Sequence, residues 1–130
     1  MYSVRVEAEF SAAHFLSRYR GKCERLHGHN YRVRLWARGE DLDEGGMLVD
    51  FALLKDALRG VRETLDHRCL NDNPAFDGGP SAERIARYVF EEAAKRLPPE
   101  AAGLLFAAEV YETPANMARY EPGRPAPSGP

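Results

Sequence analysis

The sequence predicts an α+β domain, in which strands come near both ends of the chain and two amphipathic helices lie between them. Apolar and polar residues alternate over residues 2–10 and again over residues 29–38, which is the period of a half-buried strand. Apolar residues instead recur at helical spacing over residues 51–65 and 82–97, as expected of helices with one buried face. Both periods in one short chain indicate the α+β class.

Length and composition are those of one small domain. The chain has 130 residues, and we expect a single domain over residues 1–121 and a tail rich in proline and glycine over residues 122–130. A net charge of −2 argues against the concentrated basic surface of a nucleic-acid-binding protein. Neither a signal peptide nor a membrane span is predicted, so we expect a cytoplasmic protein whose two cysteines are thiols.

The first two strands are expected to pair with each other. Their polar sides carry opposite charges, which favours an antiparallel ladder with ion pairs across it. These charged residues are Arg5, Glu7 and Glu9 on the first strand and Arg32, Arg34 and Arg38 on the second. His14 has the parity of the apolar side of the first strand, so it lies beside the core unless a bulge intervenes at Ala12 or Ala13.

The ends of the helices follow from capping residues. Asp50 is a suitable N-cap for the first helix, whose apolar stripe is expected to begin at Phe51. Ser81 is a suitable N-cap for the second helix, and Pro98 and Pro99 end it.

Strand character returns over residues 104–113, and a last short strand follows the turn at Pro114. Phe106, Ala108 and Val110 are expected on one apolar side. Glu112 has the same parity, which places a carboxylate where burial is costly unless a partner or a ligand meets it.

Three histidines carry the clearest chemical signal. His27 and His29 are two residues apart, so in an extended strand both imidazoles point to the same side and can bind one metal ion. His14 is the best candidate for a third ligand. Three histidines with an open fourth position are the usual form of a catalytic zinc site, so we predict zinc at these residues with room for water or substrate.

Cys23 and the pair Asp66–His67 are candidates for proton transfer. Cys23 lies in the charged connection over residues 15–26, an unexpected place for a thiol that only packs. Cationic neighbours or a metal favour its thiolate, which can accept a proton. Asp66 can set the tautomer or charge of the adjacent His67, although stabilising the end of the first helix is an equal alternative for this histidine. Cys69 is expected only to pack.

Six ordered segments resemble the family of 6-pyruvoyl-tetrahydropterin synthases and 6-carboxytetrahydropterin synthases, and together they cover nearly all of residues 2–121. The segments are Phe10–His14 (FSAAH), Cys23–Tyr31 (CERLHGHNY), Gly46–Phe51 (GMLVDF), Leu65–Asn71 (LDHRCLN), Pro80–Glu83 (PSAE) and Val110–Thr113 (VYET). The resemblance implies a tunnelling fold (T-fold), a four-stranded antiparallel sheet with two helices on one face. Such sheets close into a barrel by oligomerisation, commonly as a homohexamer that is a dimer of trimers.

The resemblance also implies a role for each candidate residue. The three histidines hold zinc, Cys23 is the general base, and Asp66 and His67 complete the proton relay in their own or a neighbouring subunit's site. Glu112 anchors the pterin ring by a bidentate contact. Further pterin contacts are implied for Ser81, where the family more often has threonine, and for Glu83.

The spacing between Cys23 and His27 favours one reaction within the family. Three residues separate them, as in the family's enzymes of 7-deazaguanine (queuosine) biosynthesis, whereas the pyruvoyl enzymes usually have a longer gap. The resemblance therefore implies a zinc-dependent lyase that converts 7,8-dihydroneopterin triphosphate to 6-carboxy-5,6,7,8-tetrahydropterin, acetaldehyde and triphosphate. Two alternatives stay open: 6-pyruvoyl-tetrahydropterin synthase, which uses the same substrate, and a non-catalytic protein that binds zinc or pterin.

Overall fold

The computed structural model describes residues 1–16 and 25–123 of the chain. Cys23 and most of the predicted tail lie outside these ranges. Within them two strands precede the helical part of the chain and two strands follow it, with one short strand between the helices. They are β1 (Tyr2–His14), β2 (His27–Gly39), α1 (Phe51–Leu65), β3 (Arg68–Cys69), 3₁₀ turns at Leu70–Asp72 and Pro74–Phe76, α2 (Ala82–Lys95), α3 (Pro99–Ala102), β4 (Leu105–Thr113) and β5 (Asn116–Tyr120).

The strands form one sheet in the order β3-β1-β2-β4-β5. The four long strands are antiparallel, which confirms the α+β class and the expected four-stranded sheet. A fifth strand, β3, pairs with β1 in parallel through two residues, too short a segment to show a period in the sequence. The α1 helix packs against β1, and α2 packs against β4 and β5. Buried residues of the intervening core include Val6, Phe10, Tyr31, Leu35, Leu58 and Val89.

The β1–β2 ladder runs without a register shift from Tyr2 opposite Gly39 to His14 opposite His27. The side chains of β1 therefore keep one parity to its end, and His14 is only 2% exposed, beside the core as expected. The predicted charge pairs form on the other face. Arg32 Nη2 lies 2.5 Å from Glu9 Oε1, and Arg34 Nε lies 3.6 Å from Glu7 Oε1.

Both helices begin at the predicted caps. The Asp50 carboxylate accepts a hydrogen bond from Ala52 N at 2.9 Å, and the Ser81 hydroxyl accepts one from Arg84 N at 3.2 Å. The prediction that Phe51 belongs to the buried stripe was wrong. Its side chain is 49% exposed, because it occupies the first helical position and the stripe begins one turn later. No helix in the described ranges is long and apolar enough to cross a membrane.

A β-bulge in β4 overturns the predicted orientation of Phe106. Trp36 pairs with Ala107 and Ala37 with Leu105, so Phe106 is the extra residue between them. Its ring lies 6.1 Å from the Trp36 ring and 4.6 Å from the guanidinium carbon of Arg38, on the face away from the helices. Leu105 is buried in the core instead.

Candidate metal centre

The three predicted histidines converge at the end of the β1–β2 ladder where β1 ends and β2 begins. The pairing places His14 directly opposite His27, and His29 follows two residues later on the same face of β2. One ligand nitrogen of each imidazole lies within 4.8 Å of the others. The Nε2 atoms of His14 and His27 are 2.9 Å apart. The geometry therefore brings together the ligand set that the sequence predicts.

The outer nitrogens of two of these rings determine their tautomer. His14 Nδ1 lies 3.0 Å from the Pro80 carbonyl oxygen, and His27 Nδ1 lies 2.9 Å from the Arg25 carbonyl oxygen. A carbonyl oxygen only accepts, so each Nδ1 carries the proton and each Nε2 presents a lone pair. Two lone pairs 2.9 Å apart repel each other unless a cation lies between them. Metal-binding histidines commonly donate their other N–H to a backbone carbonyl, so this donor set fits zinc.

The Pro80 carbonyl is held by the loop that precedes α2. Gly78 and Gly79 have φ angles of 103° and 112°, which side chains rarely allow. Arg84 Nη1 donates to the Gly79 carbonyl oxygen at 3.1 Å and ties this loop to the first turn of α2. The loop thereby fixes the ring orientation of the buried His14. The sequence pattern predicts no more than a loop here and did not reveal its contact with the histidine.

The predicted pterin-binding residues share one cleft of about 540 Å³ between the start of α2 and β5. Ser81, Glu83 and Glu112 line it together with Asn116 and Met117. Glu112 Oε1 lies 3.9 Å from His14 Nε2, so the carboxylate is next to the histidine cluster. The Ser81 hydroxyl oxygen accepts the capping hydrogen bond, and a hydroxyl can donate its proton at the same time. The cleft thus combines a carboxylate acceptor and a hydroxyl donor beside the three imidazoles.

Asp66 and His67 form a pair in a different place. Asp66 Oδ2 lies 3.0 Å from His67 Nδ1. The pKa of Asp66 lies below its ordinary value because Ser11 N donates to Oδ1 at 2.9 Å, with further contributions from His67 and from the Arg62 cation. The His67 side chain is 81% exposed and lines a shallow hollow of about 430 Å³ with Ser11, Gly28 and Asn30. This pair is therefore not brought to the cleft of Glu112 by the described part of a single chain.

Of the two cysteines, the structure describes only Cys69. Cys23, the predicted base, lies outside the described residues. Cys69 is a free, partly buried thiol in β3, opposite Ala13 of β1.

Comparisons with known proteins find relatives over most of the chain. The family model of 6-pyruvoyl tetrahydropterin synthase matches residues 3–123. A 6-carboxy-5,6,7,8-tetrahydropterin synthase of Synechocystis is 39% identical over 127 residues, which cover 92% of this chain and 93% of the relative. A human 6-pyruvoyl tetrahydrobiopterin synthase is 36% identical over 106 residues, which cover 78% of this chain and 71% of the relative.

Solved structures of 6-pyruvoyl tetrahydropterin synthases have a similar fold. The 6-pyruvoyl tetrahydropterin synthase of Caenorhabditis elegans has a TM-score of 0.82 and 31% sequence identity, over 94% of this chain and 96% of that one. The corresponding Plasmodium vivax structure, at 23% identity and a TM-score of 0.73, has the same fold. The matched length and the superposed sheet and helices establish that this chain belongs to the 6-pyruvoyl tetrahydropterin synthase family and has its T-fold.

Proposed function

We propose that this protein is a zinc-dependent 6-carboxy-5,6,7,8-tetrahydropterin synthase of 7-deazaguanine (queuosine) biosynthesis. In this proposal it converts 7,8-dihydroneopterin triphosphate to 6-carboxy-5,6,7,8-tetrahydropterin, acetaldehyde and triphosphate in the cytoplasm. The observation that carries the proposal is the convergence of His14, His27 and His29 within 4.8 Å, next to the carboxylate of Glu112. The choice of product is supported by the Synechocystis relative and by the three-residue gap between Cys23 and His27.

Each proposed residue has a separate task. The three histidines would hold zinc, which when bound would supply a Lewis acid for the side-chain oxygens of the substrate. The Glu112 carboxylate accepts two hydrogen bonds from the guanidine-like edge of the pterin, which orients the ring relative to the histidines. The Cys23 thiolate removes a proton from the substrate side chain. Asp66 keeps the Nδ1 proton on His67, so that His67 Nε2 exchanges protons with the reacting molecule.

Assembly is part of the proposal. His67 lines a hollow that differs from the Glu112 cleft, and its side chain is 81% exposed. An exposed proton-transfer histidine on one protomer suits the completion of a neighbouring protomer's site. We therefore propose a homohexamer in which the Asp66–His67 pair acts across a subunit boundary.

The second candidate function is 6-pyruvoyl tetrahydropterin synthase. It is favoured by the matched family model, which carries that name, and by the human relative, which is a 6-pyruvoyl tetrahydrobiopterin synthase. The two reactions share a substrate and differ in the product, so the product separates them. A non-catalytic protein that binds zinc or pterin needs the histidines and Glu112, but it does not need Cys23 or His67.

The deciding experiment incubates the zinc-loaded protein with 7,8-dihydroneopterin triphosphate and identifies the pterin by mass spectrometry. We expect 6-carboxy-5,6,7,8-tetrahydropterin and one equivalent of acetaldehyde. A pyruvoyl product would overturn the favoured reaction, and no turnover would overturn the assignment as an enzyme.

Two variants separate the proposed roles in the same assay. His27→Ala is expected to lose both bound zinc and turnover, because two imidazoles leave the metal site incomplete. Cys23→Ala is expected to retain zinc and lose turnover. Full activity of Cys23→Ala would remove the role assigned to this thiol.

A further inference from the structure

The Asp66–His67 pair is held in place against two local costs. Asp66 is the C-cap of α1, where the partial negative charge of the helix end disfavours a carboxylate. His67 has a φ of 57°, and it is the one residue other than glycine with a positive φ among residues 1–16 and 25–123. This conformation is uncommon for residues with a side chain, and it clusters at functional sites. Contacts from elsewhere in the fold must stabilise the arrangement.

Two of these contacts come from the main chain of β1. Ser11 N donates to Asp66 Oδ1 at 2.9 Å, and His67 N donates to the Ser11 carbonyl oxygen at 2.6 Å. The backbone of one strand residue thus binds both members of the pair. These bonds leave the second carboxylate oxygen of Asp66 to be positioned by other groups.

Arg62 positions this second carboxylate oxygen of Asp66. Its Nη2 lies 3.1 Å from Asp66 Oδ2, the same oxygen that lies 3.0 Å from His67 Nδ1. Its Nε donates to the Glu9 carbonyl oxygen at 2.5 Å, which anchors the guanidinium to β1. Arg62 therefore bridges α1, β1 and the carboxylate. A cation here also offsets the unfavourable placement of the acid at the helix end.

We infer that Arg62 is a positioning residue for the Asp66–His67 pair. By holding Asp66 Oδ2, its planar guanidinium fixes the acceptor for the His67 Nδ1 proton and directs His67 Nε2 outward as the unprotonated nitrogen. The inference deepens the proposed function and rests on it, since the proton transfer served by His67 belongs to the proposed reaction. Arg62 itself need not touch the substrate.

The test compares Arg62→Gln and Arg62→Lys with a matched control, Arg59→Gln. Arg59 lies on the same helix and forms an exposed ion pair with Asp56 at 3.1 Å. This ion pair involves neither Asp66 nor His67. The zinc-loaded proteins are compared by steady-state kinetics, by zinc content and by the ¹⁵N chemical shifts of the His67 ring without substrate. Those shifts report which ring nitrogen is protonated, which a purely structural role of Arg62 would not change.

We expect Arg62→Gln to lower kcat by about 10- to 100-fold with little change in KM, as displaced catalytic groups commonly do. Its His67 should change from one tautomer to a mixture, with zinc content unchanged. Arg62→Lys should recover kcat only in part, because an ammonium cannot bond Asp66 and the Glu9 carbonyl in the same fork.

Unchanged tautomer populations in Arg62→Gln would overturn the inference, as would a loss of zinc in step with kcat. Arg59→Gln should match the wild-type protein in every measurement. If the wild-type protein has no turnover, the proposed function fails, while the ring shifts of His67 still decide the role of Arg62.

Discussion

At the scale of single residues, main-chain groups set the chemistry of the side chains. Carbonyl oxygens of Pro80 and Arg25 accept from two imidazoles, and the N–H of Ser11 donates to the Asp66 carboxylate. Residues of any type supply such groups, so their positions matter more than the identity of their side chains. The proposed ligands and acids are therefore sensitive to shifts of the backbone around them.

Asp66 is expected to make the stability of the protein depend on pH. Its pKa is lowered in the folded protein, so its contribution to stability is complete above the unfolded carboxyl value of about 3.9. That contribution is lost as pH falls through the lower, folded-state pKa. We expect the difference in unfolding free energy between the wild type and Asp66→Asn to be largest at neutral pH and to shrink below about pH 4.

The measurement is urea unfolding at a fixed protein concentration over a series of acidic pH values. Asp56→Asn, on the exposed side of the same helix, is the control and should differ little from the wild type throughout. A difference for Asp66→Asn that stays constant with pH would contradict the assigned contacts.

At the scale of elements, the uninterrupted β1–β2 ladder is what assembles the metal site. His14 and His27 are opposite each other only in this register. A slip of one residue would turn the imidazoles of one strand to the other face of the sheet. The cross-strand pairs of Arg32 with Glu9 and Arg34 with Glu7 favour the observed register.

The conformation of the loop before α2 is expected to affect zinc affinity. An added Cβ at Gly78 would lie 2.7 Å from Arg84 Nη1, and the φ of 103° is strained for any side chain. We expect Gly78→Ala to displace the Pro80 carbonyl and to weaken zinc binding by about 10-fold, in the range for partners of metal ligands. Competition with a chromophoric chelator measures the affinity.

Gly123→Ala is the matched control for this loop. An added Cβ there meets nothing within 4 Å, so zinc affinity should equal that of the wild type. Equal affinities for Gly78→Ala and the wild type would show that the Pro80 carbonyl does not orient His14.

At the scale of the whole molecule, the sheet face away from the helices is strongly polar. Glu109 on this face is only 7% exposed, and its carboxylate accepts from Trp36 Nε1 at 2.6 Å and from Arg119 Nη1 at 3.0 Å. Arg5, Glu7, Arg32 and Arg34 continue the face. A face of paired charges suits the water-filled lumen of the expected barrel.

The assembly itself can be measured. Light scattering coupled to size-exclusion chromatography is expected to give about six times the chain mass of 14.6 kDa. Dilution to the concentration used for the activity assay should leave the hexamer intact, because the proposed site takes residues from two protomers. An active monomer would contradict both the assembly and the shared site.

Much of the fold and the ligand set could be predicted from the sequence. The strand periods, the caps Asp50 and Ser81 and the limits of α1 were confirmed, because each depends on neighbours along the chain. The convergence of His14 with His27 and His29 also followed, since two alternating strands of known parity leave few arrangements. Phe106 and Phe51 were placed wrongly, because a bulge and a helix terminus both depart from the regular period.

By itself, then, the sequence determined the fold class, the pairing faces of the first two strands and the residues offered to a metal. Only the tertiary structure decided which main-chain groups orient the side chains of the candidate site. The Pro80 carbonyl meets His14 across 66 positions of sequence, and Arg62 meets the Glu9 carbonyl across 53. Periodicity records which face a side chain takes, but a contact between distant segments depends on how complete elements pack, and no local pattern encodes it.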